Sequence, residues 1–308
     1  MSLDNKRING RFFTAKNPFK HRAFRSWATE AKLPDSRVLE PFAGSGSLLQ
    51  HLIDMGLLGE YRAYDIEPAA KGIVRRDTLK SFPGGFDVCI TNPPWLARNS
   101  ATFRGLPFPD THHDDLYKVS LERCLDSCGY VAALVPESFI RAGLFQDRLR
   151  SFVSLTANLF VDTVHPVGLA MFAPQTQGKV VVYSGNHRIG TLEELERDKP
   201  QPTGRREIIF NDPDGNLGLI ALDNTREASI RFCNVRELSD YAVKHHCRHI
   251  TKLSVSGRIS ITRYNKFIDD FREKTADILM TCYRGLRRDG KYRRRLDWKL
   301  ARAVIENA

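Results

Sequence analysis

The chain has 308 residues, of which 42% are hydrophobic and 27% are charged, and its formal net charge is +11. This composition can bury a large core, so it excludes a chain that is disordered throughout, and the apolar runs are too short to span a membrane. Residues 1–37 and 271–308 each carry a net charge of +6, and residues 38–270 carry −1. Basic ends suit a polyanionic partner, although solubility alone would explain them equally well.

Alternating strands and helices occupy the first part of the chain. The apolar pattern predicts strands at 37–40, 61–66, 86–91, 130–135, 159–163 and 180–183. It predicts helices at 48–55, 116–128 and 144–153. Strands that are apolar throughout and alternate with helices indicate an α/β fold, Rossmann-like, with a parallel sheet covered on both faces. Turn-rich, basic sequence follows, so we expect one domain at 1–190 and a smaller region at 191–308.

The first strand leads into a glycine-rich turn. Glu40 and Phe42 precede Gly44 and Gly46, and a helix begins directly afterwards. Glycines let the backbone approach a ligand closely, and the helix N-terminus offers free N–H donors. The segment lacks the third glycine of the dinucleotide-binding fingerprint and the lysine of a P-loop, so alone it is a weak signal.

An acidic segment ends the second predicted strand, about 20 residues beyond the glycine-rich turn. It contains Asp65, Ile66 and Glu67. A carboxylate at this place can accept hydrogen bonds from both hydroxyls of a ribose. An ordinary helix N-cap would use the same residue types. The two segments together favour a ligand that carries a ribose.

The predicted strand at 86–91 leads into the segment Asn92-Pro93-Pro94-Trp95. Two prolines stiffen the backbone and remove two N–H donors, so the Asn92 amide oxygen and the Pro93 carbonyl are acceptors in a rigid turn. Trp95 adds a flat apolar face beside them. Ligands of open α/β sheets bind at the carboxyl ends of the strands. The segment therefore predicts a receptor for an amino group on a planar ring.

These three segments, in this order, resemble the motifs of S-adenosylmethionine-dependent amino-methyltransferases. They are most similar to the gamma class of DNA adenine-N6 enzymes from type II restriction–modification systems, over roughly residues 10–185. The resemblance implies a seven-stranded methyltransferase sheet, S-adenosylmethionine as cofactor and double-stranded DNA as partner. It also implies a target base flipped out of the duplex, and a functional pairing with a restriction endonuclease that needs no direct contact. Such enzymes often act as monomers.

The resemblance assigns roles to individual residues. The turn Asn92, Pro93, Pro94 and Trp95 would be catalytic, and Trp95 and Phe172 would stack on the two faces of the target base. The cofactor would contact Thr14, Glu40, Phe42, Gly44, Gly46, Asp65, Ile66, Asp77 and Asn92.

Two basic regions are candidates for holding the duplex, because Lys and Arg neutralise phosphates. One is the loop at 98–113, which contains Arg104, and the other lies near the C-terminus. The C-terminal candidates are Arg287, Arg288, Arg293, Arg294 and Arg295.

Several alternatives remain open from the sequence. The target could be N4 of cytosine, or the polymer could be RNA or a protein with a glutamine substrate. Asn92 argues mildly against cytosine, because the similar N4-cytosine enzymes tend to have Ser at this position. Trp95 argues against a glutamine substrate, because the glutamine methyltransferases usually have Tyr there. A non-catalytic nucleic-acid-binding protein with this fold is a further alternative. No Pro-Cys dipeptide is present, which argues against methylation at carbon 5 of cytosine.

The N-terminal residues contain no apolar segment of the kind found in secretory signals, so the sequence predicts a cytoplasmic protein with no membrane partner. Six cysteines in such a chain are predicted to be reduced thiols. Cys233, Cys247 and His249 could bind zinc on composition, but their spacing matches no common zinc motif. The sequence therefore predicts no metal and leaves this group open.

Overall fold

The computed structural model of the chain describes residue 14 and residues 16–156, 158–160, 164–175 and 178–308. The chain divides into two compact units, Met1–Arg188 and Ile189–Ala308. None of the helices in these described stretches combines the length and the apolar character needed to cross a lipid bilayer.

The described residues build a nine-stranded sheet in the order β3-β2-β1-β4-β5-β7-β6-β8-β9, of which β1 to β8 lie within the first unit. Strands β1 to β5 run parallel, and β7 runs antiparallel between β5 and β6. The predicted α/β fold with a large, mostly parallel sheet is confirmed, and the sheet has nine strands where the resemblance implied seven. The strands are Val38–Glu40, Tyr61–Asp65, Val74–Arg75, Val88–Thr91, Tyr130–Pro136, Leu149–Leu155, Val167–Phe172, Val181–Ser184 and His187–Thr191.

Helices cover the sheet of the first unit. They are α1 (Arg22–Glu30), α2 (Ser47–Asp54), α3 (Arg98–Phe103) and α4 (Leu116–Ser127), with short 3-10 helices at Leu33–Asp35 and Glu137–Arg141. Helix α1 buries Phe24 and Trp27 in the core, and the Trp27 Nε1 atom donates a hydrogen bond to the Phe172 carbonyl at 2.8 Å. Asp115 caps α4 by accepting from the Tyr117 amide. The predicted helices at 48–55 and 116–128 are therefore confirmed.

The helix predicted at 144–153 is wrong. Strand β6 occupies Leu149–Leu155, and it lies inside the sheet between β7 and β8. Gly143 and Phe145 both have positive φ angles, which a helix does not accommodate. A short apolar run fits a buried strand as well as a buried helix, because both exclude polar residues. Of the strand predicted at 159–163, Phe160 forms a β-bridge with Thr14, and 161–163 lie outside the described residues.

The second unit, as described, contains two antiparallel sheets. One has four strands in the order β10-β13-β11-β12, and the other pairs β14 with β15. These strands are Ile208–Phe210, Leu217–Ile220, Arg231–Asn234, Ile250–Val255, Thr281–Leu286 and Tyr292–Arg295. The helices of this unit are α5 (Leu192–Asp198), α6 (Ile261–Thr275) and α7 (Trp298–Asn307), with a 3-10 helix at Val235–Leu238.

Candidate functional site

A cavity of about 660 Å³ lies at the carboxyl ends of the parallel strands in the first unit. It sits beside β1 and β4, where the strand order reverses, which is the usual ligand-binding point of open α/β sheets. Its volume falls within the range of small-molecule sites. The predicted site residues that line it are Thr14, Glu40, Phe42, Gly44, Asp65, Ile66, Asp77, Asn92 and Pro94.

Hydrogen bonds to the end of β2 fix the backbone of the glycine-rich turn. Gly44 and Gly46 have φ angles of 53° and 78°, a backbone conformation that residues other than glycine rarely adopt. The Gly44 amide donates to Asp65 Oδ2 at 2.8 Å, and the Glu67 amide donates to Asp65 Oδ1 at 2.7 Å. Each carboxylate oxygen retains a second acceptor position. Asp65 therefore shapes the turn and can still accept from a ligand, and Glu67 also lines the cavity.

Glu40 is a buried carboxyl group at the wall of the cavity. Its Oε1 atom accepts from the Thr91 hydroxyl at 2.7 Å and from the Phe42 amide at 3.1 Å. Burial raises the pKa of Glu40 to about 8, against the opposing effect of these two hydrogen bonds, and the nearby charge of Asp65 adds to the increase. The side chain is thus mainly a neutral acid at pH 7.

The turn after β4 is anchored at its exit by the start of α4. The Leu96 amide donates to Asp115 Oδ1 at 3.1 Å, and the Leu116 amide donates to the Leu96 carbonyl at 3.0 Å. Burial raises the pKa of Asp115 to about 6, although its two backbone hydrogen bonds oppose the increase. Asn92 and Pro94 line the cavity between these anchors and β4. The backbone is therefore fixed both before and after Asn92, and the Asn92 side chain lies at the cavity.

Three predicted site residues lie beside the cavity instead of in its wall. Pro93 is buried, and Trp95 is half-buried with its ring edge-on to Phe160 at 5.4 Å between centroids. Gly46 begins helix α2 and borders a neighbouring cavity of about 460 Å³. The structure thus brings together most, but not all, of the residues that the motifs mark.

Phe172 does not have the predicted environment. Its side chain is 0% exposed at the end of β7 and packs on Phe139 with 6.1 Å between ring centroids. A ring enclosed by the core cannot stack on an incoming base, so its assignment as a stacking residue is wrong. The apolar pattern around Phe172 reflects an internal strand, which the sequence left unassigned.

The segment 98–113, predicted as a loop that holds the duplex, begins with helix α3 at Arg98–Phe103 and continues as a loop that forms part of the cavity wall. Residues 106–109 line the cavity, and Arg98 holds the same loop by donating to the carbonyls of Thr111 and His113. The Arg98 guanidinium also lies 4.7 Å from the centre of the Phe108 ring. Close by in the chain, Phe103 ends helix α3 with 91% of its surface exposed. A Pro-rich segment after the Asn92 turn was the available sequence signal.

The C-terminal arginines are not all at the surface. Arg287 and Arg294 are buried, and Arg287 donates to Asp223 at 3.1 Å while the Arg294 amide donates to the same carboxylate at 3.1 Å. Their assignment as DNA-contacting residues is wrong, because these two side chains are inside the second unit. Arg288 is exposed, and Arg293 and Arg295 are half-buried.

The cysteine and histidine group of the second unit is not assembled as a metal site. In the described part of the chain, no cluster of three metal-binding side chains includes Cys233, Cys247 or His249. Cys233 is buried, and its sulfur lies against Gly218. Composition alone suggested zinc there, and the fold separates the candidate ligands.

No protein-family model and no curated protein sequence matches the chain significantly. Among solved structures, it is similar to a protein assigned as a class I S-adenosylmethionine-dependent methyltransferase of Listeria monocytogenes (15% identity, TM-score 0.37). It is also similar to a type I restriction–modification methyltransferase subunit of Streptococcus thermophilus (17%, 0.38) and to DrdV, solved in complex with DNA (16%, 0.40). The matches cover 53%, 61% and 59% of this chain, and 64%, 53% and 28% of those chains.

Proposed function

We propose that the chain is an S-adenosylmethionine-dependent DNA methyltransferase that modifies N6 of adenine, as the modification half of a restriction–modification system. The observation that carries this proposal is the meeting of two motifs in one cavity. The glycine-rich turn with its carboxyl groups forms one part of the wall, and Asn92 and Pro94 form another. An activated methyl donor and an amine acceptor need this proximity for direct transfer.

The cavity wall suits S-adenosylmethionine as cofactor. Glu40, Asp65 and Asp77 follow or end β1, β2 and β3, so hydrogen-bond acceptors line one side of the cavity. The ammonium group, the ribose hydroxyls and the adenine amino group of this cofactor are donors that match them. When bound, the cofactor supplies an electrophilic methyl group on a positively charged sulfur. The carboxylates of Asp65 and Asp77 favour that charge, whereas Glu40 is mainly a neutral acid at pH 7.

The Asn92 turn would prepare the acceptor amine. The lone pair of an adenine amino group is delocalised into its ring, which makes it a poor nucleophile. Hydrogen bonds from its two N–H groups to the Asn92 amide oxygen and the Pro93 carbonyl would favour a tetrahedral nitrogen with its lone pair directed at the methyl group. The same acceptors stabilise the positive charge that develops on nitrogen. The surplus proton leaves to water.

Features of each unit, taken separately, favour a nucleic acid as the substrate. A base in a duplex can reach this cavity only when it is flipped out, and Trp95 would then offer a stacking face. Phe103 exposes its ring after the turn and would offer a further stacking face to an unpaired base. In the second unit, Arg284, Arg288 and Lys291 are exposed. We assign methyl transfer to residues 1–190 and target recognition to residues 191–308.

Transfer of tritiated methyl groups tests the proposal. Wild-type protein would be incubated with labelled S-adenosylmethionine and, separately, amplified unmethylated genomic DNA, total RNA and a protein extract. We expect label in DNA, recovered as N6-methyladenine after digestion to nucleosides. Asn92→Ala removes one fixed acceptor, so its rate should fall roughly 10²–10³-fold.

Asn99→Ala is the matched control, because Asn99 is an exposed asparagine in the next helix and does not line the cavity. It should keep wild-type activity. Full activity in Asn92→Ala would refute the catalytic assignment. Label recovered as N4-methylcytosine, or found only in RNA or protein, would refute the substrate.

A further inference from the structure

A cluster of metal-binding side chains lies outside the residues used above. His112, His113 and Glu122 direct one ligand atom each to a common region, and these three atoms lie within 4.8 Å of one another. The His113 Nε2 atom is 3.2 Å from Glu122 Oε1, and the two imidazole rings are 4.0 Å apart at their centres. The histidines precede α4, and Glu122 lies within it. The fold therefore brings residues of a loop and of a helix together at one point.

The burial of His113 supports the same site. The residue is only 5% exposed, and its buried Nε2 atom makes no hydrogen bond of acceptable geometry with the residues that the structure describes. Leaving a buried polar atom without a hydrogen bond is unfavourable. Such an atom calls for an explanation, and an ion at this place is one. The ring nitrogen directed at Glu122 has the position of a metal ligand.

We propose that His112, His113 and Glu122 bind a zinc ion, with water at the fourth position. Two imidazole nitrogens and one carboxylate oxygen form a donor set that zinc uses in proteins. Mg²⁺ and Ca²⁺ prefer sites made of oxygen atoms only, so they fit less well. Zinc–ligand bonds of about 2.0–2.1 Å place tetrahedral ligand atoms roughly 3.3 Å apart. His113 and Glu122 already match this spacing, and rotation of the exposed His112 side chain brings in the third ligand.

Zinc bound here would connect the cavity wall to the body of the first unit. The loop that carries both histidines also contributes residues 106–109 to the wall, and Arg98 binds its backbone at His113. Helix α4 carries Glu122 and packs into the core through Leu121 and Leu125. A metal bridge between the two would therefore hold the loop on a rigid element. This inference does not depend on the methyltransferase proposal, because it rests on a separate cluster.

A simple ion pair is the competing explanation for the His113–Glu122 contact. Protonated His113 would attract the Glu122 carboxylate without any metal. His112 separates the two explanations, because an ion pair does not need it and a zinc site does. Its side chain is exposed, so its replacement should leave the fold intact.

Zinc binding to the full chain, without an affinity tag, tests the proposal. Protein stripped with a chelator would be titrated with zinc against a chromophoric competitor, and with Co²⁺ to detect the visible absorption of a tetrahedral site. We expect one zinc per chain and a higher unfolding temperature with zinc. His112→Ala and Glu122→Gln should each weaken zinc binding at least about tenfold. His187→Ala, an exposed histidine outside the cluster, is the control.

Failure to bind one equivalent of zinc would overturn the proposal. So would binding that is unchanged in either His112→Ala or Glu122→Gln. Zinc that is lost only in Cys247→Ser would assign the ion to the second unit and would equally overturn it. None of these outcomes bears on methyl transfer, which is tested separately through Asn92.

Discussion

The two units of the molecule use their charged side chains in opposite ways. In the first unit, Glu40, Asp65 and Asp77 line a cavity at the ends of successive strands. In the second unit, Arg272 and Arg287 converge on Asp223 in the interior. Carboxylates that follow parallel strands must meet at one edge of the sheet, because parallel strands end together. A sequence segment rich in arginine has no comparable geometric constraint. Whether each arginine side chain points inward or outward depends on whether the fold places a buried carboxylate next to it.

Buried Asp223 explains why the side chains of Arg272 and Arg287 point into the interior of the second unit. Its side chain is 0% exposed, and Arg272 donates to both of its oxygens at 2.9 and 2.8 Å. Burial by itself raises the pKa of Asp223, but the hydrogen bonds and charge of Arg272 outweigh it and hold the pKa below its ordinary value. The carboxylate is therefore ionised at neutral pH, and the interior contains a paired charge network.

The largest effect is expected from breaking this network. Arg272 would keep its two hydrogen bonds to Asp277, but Asp223→Ala would remove the shared acceptor of Arg272, Arg287 and two backbone amides from the interior. We expect a loss of about 3–5 kcal/mol in the free energy of unfolding. Denaturant unfolding of the full chain measures it. The control Asp269→Ala removes an exposed carboxylate from α6 and should change stability by less than about 0.5 kcal/mol. A similar small change in Asp223→Ala would show that the network is not a stabilising core.

A smaller effect is expected from Glu40, the buried acid of the first unit. Because the folded-state pKa is raised to about 8, the folded protein binds this proton more tightly than the unfolded chain. Its stabilising contribution is complete below the unfolded pKa and is lost as pH rises through 8. Glu40→Gln has no such titration.

We therefore expect Glu40→Gln to lose less stability than wild type between pH 5 and 9, by on the order of 3 kcal/mol. Thermal or denaturant unfolding across this range provides the measurement. Glu227→Gln, which alters an exposed carboxylate, should follow the wild-type pH profile. If Glu40→Gln also followed the wild-type pH profile, Glu40 would be ionised in the folded protein. Buried Glu40 and buried Asp223 would then both be charged, and the contrast between the two units would disappear.

The smallest effect concerns the exposed part of the basic C-terminal region. Arg288 is exposed, unlike its neighbour Arg287. If Arg288 contacts a phosphate, Arg288→Ala should reduce the slope of log affinity for duplex DNA against log salt by about 0.9. Its stability should stay near that of wild type. Arg263→Ala, an exposed arginine on α6, is the comparison, and equal slopes in the two variants would remove Arg288 from the DNA-binding surface.

The sequence predicted the cavity-lining residues more successfully than the aromatic and basic ones. Asn92 follows a buried strand and precedes two prolines, so its position was set within a few residues of chain. Phe172 was misassigned because a phenylalanine in an apolar run fits a core strand and a binding surface alike. The helix predicted at 144–153 failed for the same reason, since burial on both faces removes the periodicity that separates strands from helices.

Local sequence by itself determined the alternation of strands and helices up to β5, and the placement of Gly44, Asp65 and Asn92 at strand ends. Both depend on near neighbours in the chain. Only the tertiary structure decided which arginines are buried, that Phe172 belongs to the core, and that His112, His113 and Glu122 meet. Such outcomes depend on residues far apart in sequence, whose packing and charge compensation become defined only when the chain closes around them.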